Sequence, residues 1–175
     1  LAGQGSGKSA VAGAISAILV EKFSLVRGLI AANTHEQLNK ATLNRIRDIW
    51  KTYFGLTEWT PDNLSGDYVI DKRPPKGFIT THHSYKSYHN IISFRNGAII
   101  YIGSLENYTA LDGIEVAWCI CDETKDTRPE AITEVVLGRL RQPGIYIKNG
   151  ELSDDPTGEP HTPVWFLTSL LNLRG

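Results

Sequence analysis

Residues 2 to 9 read AGQGSGKS, and a run of small residues follows. Glycines in such a turn let successive backbone N–H groups point inward around an anionic phosphate. A helix beginning near Gly7 adds its positive dipole end at the same spot. The pattern resembles G-x-x-x-x-G-K-[ST], so Gly3, Gln4, Gly5, Ser6 and Gly7 are read as the phosphate cradle. Lys8 then reaches the β- and γ-phosphates of ATP, and the Ser9 hydroxyl binds Mg²⁺. The first position of the pattern is Ala2 rather than glycine. Alanine resists positive φ, so the loop is expected to start differently there. The bland alternative is a glycine-rich turn capping an ordinary helix.

A second chemical corner follows the apolar run IEVAWCIC, 114 to 121, which ends in Asp122 and Glu123. Open α/β sheets bind ligands beyond the carboxyl ends of their strands, which is where this run delivers its two acids. Asp122 is read as the acid that holds Mg²⁺ beside Ser9. Glu123 is read as the base that orients and deprotonates the water attacking the γ-phosphate. The alternative is a solvated strand end. Arg139 and Arg141 close the next helical stretch and are candidates for stabilising transition-state charge, in cis or toward a neighbouring subunit. Cations also favour helix C-termini for dipole reasons alone. Arg128 is a weaker candidate. Thr168 and Ser169 end the last apolar run; Thr168 could contact the nucleotide, or the pair could cap the next turn. Gln37 could touch nucleotide or DNA, or simply face solvent.

Other chemistries are disfavoured. The base-reading N-K-x-D pattern of GTPases is absent, since Asn39-Lys40 is followed by Ala41-Thr42. Asp155-Pro156-Thr157-Gly158 matches D-x-x-G, but in a turn-rich stretch, and is taken as chance. The five histidines and two cysteines have no zinc-type spacing. Cys119 and Cys121 lie two apart on a strand and read as small buried residues that do not bond to each other.

The elements that must position these groups can be read from periodicity. KSAVAGAISAILVEK, 8 to 22, is helical and apolar nearly all round, as for a helix buried against a sheet. VRGLIAAN, 26 to 33, reads as a buried strand. A helix capped by Asn33 or Thr34 runs to about Phe54, with Leu38, Leu43, Ile46, Ile49, Trp50 and Tyr53 as its core stripe. Residues 55 to 77 read as a long surface loop or insertion, and ITTHHSY, 79 to 85, as a strand. IISF, 91 to 94, and AIIYIGS, 98 to 104, flank Arg95-Asn96-Gly97, a hairpin signal. Residues 105 to 113 suggest a short helix or turn. Pro129 opens an amphipathic helix that ends at about Arg141, where Gln142-Pro143-Gly144 stops it. Residues 145 to 162 suggest a hairpin with a polar loop, and VWFLTS, 164 to 169, a last buried strand. Strands alternating with helices argue for a mainly parallel α/β sheet with helices on both faces and a β-hairpin insertion.

The chain has 175 residues, 41% hydrophobic and 21% charged, which suits one folded domain over 1–175. Its formal net charge of −1 gives no general pull toward nucleic acid, so any DNA contact needs a local patch. No apolar stretch is long enough to span a bilayer, and no signal peptide is visible. Only Leu1 precedes the glycine-rich turn, so the feeding strand is expected upstream and the chain reads as a fragment.

Taken together, AGQGSGKS, GAIIYIGSLENYTALDGIEVAWCICDE and LGRLRQPG resemble the N-terminal ATPase domain of the large terminase subunit of tailed bacteriophages. AANTHEQL, 31 to 38, is similar to the motif after the second strand of terminases and helicases. The resemblance covers most of residues 2 to 142. It implies a P-loop NTPase of the additional-strand, catalytic-glutamate type, using ATP and Mg²⁺ to move double-stranded DNA into a procapsid. It further implies a ring-forming homo-oligomer, portal protein and small terminase subunit as partners, and the bacterial host cytoplasm as location, transiently at the portal. The family's coupling motif would fall on Thr168 and Ser169, although no proline follows them here. A C-terminal nuclease domain does not fit within this chain, so no nuclease activity is expected of it. Rival readings are a superfamily 2-like helicase or translocase, a P-loop nucleotide kinase, and a non-hydrolysing nucleotide-binding assembly module.

Overall fold

The computed structural model of the chain describes residues 7–34, 38, 42–122, 124, 127 and 129–167. Helix α1, Lys8–Lys22, starts where the glycine-rich run ends. It buries Ala12, Gly13, Ser16, Ala17, Leu19 and Val20. Its apolar character extends further than its burial: Val11 and Ile18 remain 48% and 49% exposed, because the described elements cover only one side of it. Strand β1, Arg27–Ala32, follows. Helix α2, Leu43–Ile49, continues into a wider π-helical turn, Trp50–Phe54, closed by Gly55 in the left-handed region. Gly13 allows α1 and α2 to touch, since a Cβ there would stand 2.9 Å from Cβ of Ile49. Trp50 locks the contact by donating its Nε1–H toward the Gly13 carbonyl and Ser16 Oγ, each at 3.0 Å.

The remaining strands are β2 (Tyr68–Ile70), β3 (Ile91–Phe94), β4 (Ile99–Ser104), β5 (Trp118–Asp122), β6 (Tyr146–Lys148), β7 (Glu151–Ser153), β8 (Glu159–Pro160) and β9 (Val164–Leu167). A short 3₁₀ turn, Tyr108–Leu111, precedes β5, and a third helix, α3, is π-helical over Ala131–Leu137. The main sheet has the order β2-β3-β4-β1-β5-β9. Strands β4, β1, β5 and β9 are parallel, and β3 and β2 extend the sheet antiparallel. Alternating residues divide the core into two layers. Ile30, Ile100, Ile102, Trp118 and Ile120 pack with α1 and α2 on one face. Leu29, Ile99, Tyr101, Cys119 and Cys121 pack with Leu111 of the 3₁₀ turn and Ala131 of α3 on the other. Helical segments therefore cover both faces of a mainly parallel α/β sheet.

Three expectations change. Residues 55 to 77 are not all loop, because β2 pairs Tyr68 with Phe94 and Ile70 with Ile92. That pairing fills the place beside β3, so 79 to 85 forms turns and irregular backbone rather than a strand. The run 145 to 162 forms the expected hairpin, β6–β7, but goes further, since β8 joins it to make a separate three-stranded antiparallel sheet, β7-β6-β8. Cys119 and Cys121 are free thiols on one face with their sulfurs 3.5 Å apart. Their mutual hydrogen bond and complete burial push the Cys119 thiol well above its ordinary range.

Candidate functional site: the carboxyl edge of the parallel strands

The central strands end in register. Ala32 of β1 lies opposite Ser104 of β4 on one side and Asp122 of β5 on the other, and Leu167 of β9 lies opposite Asp122. Four strand ends thus form one edge. Helix α1 begins at the same edge with Gly7 as its cap at φ +80°. Among the described residues no atom lies within 4 Å of where a Gly7 Cβ would be, and glycine suits the left-handed backbone here. The Gly7 carbonyl accepts from the Val11 N–H at 3.0 Å and starts the helix ladder.

This arrangement brings together two residues that are 113 apart in sequence. Ser9 Oγ donates to Asp122 Oδ2 at 3.3 Å. Asp122 is 2% exposed, and a carboxylate so buried requires donors or a cation. A third residue reaches the same oxygen: Thr42 Oγ1 donates to Asp122 Oδ2 at 2.8 Å. Thr42 immediately precedes α2 and is 4% exposed. The residue reading missed Thr42, because it placed this residue inside a helix running from Asn33 or Thr34 to about Phe54 and no motif surrounds it. The three oxygens form a hard-donor set of the kind that suits Mg²⁺. Lys8 occupies the first helical position beside them and is half-buried.

Other predicted residues fall elsewhere. Gly3, Gln4, Gly5, Ser6, Gln37, Glu123, Arg128, Thr168 and Ser169 lie outside the described residues. Arg139 and Arg141 are described, and they sit at the opposite edge. The Arg139 carbonyl accepts from the Val116 N–H at 2.8 Å, ahead of β5. Gln142 accepts from the Arg27 N–H at 2.7 Å and donates to the Leu25 carbonyl at 3.1 Å, at the start of β1. From Val116 to Asp122 is a rise of about 20 Å along the strand. No arginine side chain spans that, so the structure does not bring Arg139 or Arg141 to the Asp122 corner of its own chain. The Arg139 guanidinium pairs instead with Asp112, while Arg141 is exposed. The D-x-x-G match closes on itself, with Asp155 capping the Thr157 N–H at 2.9 Å and pairing with Lys148. Its carboxyl is held well below the ordinary range by the Lys148 ammonium first and by Thr157 second.

A cleft of about 650 Å³ lies on the outer side of α2, between Arg47, Asp48, Lys51, Glu58 and Tyr68. It is lined by none of Lys8, Ser9 or Asp122, so it is separate from the corner described above.

No family model matches the chain. No curated protein matches it. Among solved structures, the chain is similar to an arginine-to-alanine mutant of the large terminase ATPase domain of Thermus phage P74-26. That similarity has a TM-score of 0.52 at 16% identity and covers 99% of this chain and 60% of that one. A second structure of that phage's domain gives a TM-score of 0.48 at 15% identity, over 95% of this chain and 73% of that one. The chain thus spans less than two thirds of the first of these neighbours. Its α/β fold is that of a phage large terminase ATPase domain.

Proposed function

We propose that the chain is the ATP-hydrolysing portion of a motor that translocates double-stranded viral DNA into a procapsid. The observation that carries this reading is the 3.3 Å approach of Ser9 Oγ to Asp122 Oδ2 across 113 residues. A glycine-capped helix and an acidic strand end meet at one point, as a magnesium-bound triphosphate requires. The shared fold with a terminase ATPase domain supports the choice among P-loop chemistries.

In this reading Gly3, Gln4, Gly5, Ser6 and Gly7 donate backbone N–H groups to the phosphates, and Lys8 neutralises the β- and γ-phosphate oxygens. Ser9 and Asp122 hold Mg²⁺. The bound ion supplies charge neutralisation on the phosphate oxygens. Glu123 accepts a proton from water as its oxygen attacks the γ-phosphorus, and ADP leaves with the electrons of the broken bond. Thr168 follows the strand end opposite Asp122 and contacts the γ-phosphate. Arg141, exposed at the far edge, serves a neighbouring subunit in a ring. Portal protein and small terminase subunit are the assembly partners, and the host cytoplasm at the procapsid portal is the place of action.

Glu123→Gln tests the reading. It should retain ATP affinity within about twofold while hydrolysis falls by roughly 10²–10⁴, the usual contribution of a general base. Lys8→Ala should lose ATP affinity in the same titration. An unchanged hydrolysis rate in Glu123→Gln reassigns the base, and unchanged affinity in Lys8→Ala removes the phosphate grip.

A further inference from the structure

Residues 71 to 90, DKRPPKGFITTHHSYKSYHN, carry Lys72, Arg73, Lys76 and Lys86 against the single acid Asp71, in a chain of net charge −1. All four cations are exposed. Among the described residues none of them has a hydrogen-bond or ion-pair partner, whereas Arg27, Arg47, Arg139 and Lys148 are each paired with an acid. Asp71 is already engaged: it accepts from the Asn90 N–H and stands 3.9 Å from His89 Nδ1.

The loop is built rather than slack. Asp71 and Asn90 close its ends in the left-handed region, at φ 54° and 60°. The Asp71 N–H donates to the Ile91 carbonyl at 3.0 Å, and the Asn90 carbonyl accepts from Ile102 at 2.9 Å. Its far turn is pinned by buried Phe78, which lies under the Arg95 guanidinium at 5.0 Å, and by the Ile79 N–H on the Arg95 carbonyl. Its return limb is pinned by the Tyr85 and Tyr101 hydroxyls, 2.7 Å apart. Strand β3 starts and β4 ends at the carboxyl edge, so the closed ends of the loop share that edge with Asp122. Three strand spacings separate β3 from β5, about 14 Å.

From these observations we infer that loop 71–90 is a docking surface for the phosphate backbone of duplex DNA. Four unpartnered cations on an anchored loop match a polyanion. The aromatic rings select duplex over single strand. His83 stacks against Tyr88, and Tyr85 is packed edge-on to His83, Tyr88 and Tyr101. These rings are spent on one another and offer no open platform for unstacked bases, which single-strand binders need. The four cations stay exposed among the hydroxyls of Thr80, Thr81, Ser84 and Ser87, with Ile79 and His89 also at the surface, and it is charge that reads phosphates. The inference rests on the motor reading above and places its DNA beside the edge where nucleotide binds.

The test is fluorescence anisotropy with a labelled 30-base-pair duplex and the matching single strand, over a salt series. The variant replaces Lys72, Arg73, Lys76 and Lys86 with Gln; the control replaces Arg45, on α2, and Lys51, in the π-helical turn after it, with Gln. Each contacted phosphate contributes about −0.9 to the slope of log K against log salt, so four contacts predict a slope shallower by about 3–4 in the loop variant. A weakening of at least tenfold at low salt is expected in that variant, with affinity kept in the control. Equal losses in both variants, no loss in the loop variant, or tighter binding of the single strand would overturn the inference. Melting of each variant checks the fold, and single replacements of Arg73 and Lys86 serve if the fourfold variant is unstable. Wild-type protein that binds ATP but no duplex overturns this inference alone. Wild-type protein that binds duplex through the loop but no ATP supports it and removes the motor reading.

Discussion

Replacing Thr42 with Val isolates one oxygen at the centre of the site. Valine keeps the shape of threonine and removes only the hydroxyl that donates to Asp122 Oδ2 at 2.8 Å. Hydrogen bonds to charged groups are worth about 1.5–3 kcal/mol, and this one serves a carboxylate buried away from water. Ser9 cannot replace it, since at 3.3 Å its donation to the same oxygen lies beyond the ordinary O–H···O range. A loss of about 2 kcal/mol in a domain of this size lowers the melting temperature by roughly 4–8 °C. Ser9→Ala should cost less stability than Thr42→Val, because its bond is longer, yet weaken Mg²⁺-dependent nucleotide binding. Differential scanning calorimetry of the nucleotide-free protein reads the first effect. A titration of fluorescent ADP with and without Mg²⁺ reads the second. Thr42→Ser keeps the hydroxyl and should restore most of the lost stability. If Thr42→Val melts with wild type, or Thr42→Ser is as damaged as Thr42→Val, the hydroxyl does not hold Asp122 and the reasoning fails.

Two further expectations are independent of that one. His83 is held below its ordinary pKa by burial first and by the neighbouring His82 second. The unfolded chain therefore binds a proton more readily than the folded one, and stability should fall as pH drops below about 6.5, the unperturbed histidine value. His83→Phe should show a smaller drop in melting temperature between pH 7 and pH 5 than wild type does; an equal drop would assign the acid sensitivity elsewhere. Arg141→Ala mixed with wild-type subunits should lower ATPase activity more than in proportion to its share if the side chain serves a neighbour. Strictly proportional activity would remove the trans role.

Local sequence determined a good deal of this protein. The glycine-rich run, the alanine-rich stretch after it and the lysine at its end fix α1 at Lys8–Lys22, because small and straight side chains favour helix and Gly7 can take the left-handed cap. Asn96-Gly97 between branched apolar runs fixes the β3–β4 hairpin. The unbroken apolar run before Asp122 marks a strand covered on both faces. These are preferences of neighbouring residues, and they act over a few positions.

Tertiary structure decided which ends meet. The order β4-β1-β5 sets the last residues of three strands side by side, and only then do Ser9, Thr42 and Asp122 converge from separate parts of the chain. The same order sends Arg139 and Arg141 to the opposite edge, although in sequence they follow Asp122 closely. Pairing of β2 with β3 excluded 79 to 85 from the sheet and left it as part of an anchored loop that carries exposed cations. Local propensity says what kind of element a segment forms; strand order and burial of the two sheet faces are collective, so only the packed fold could say which residues share a site.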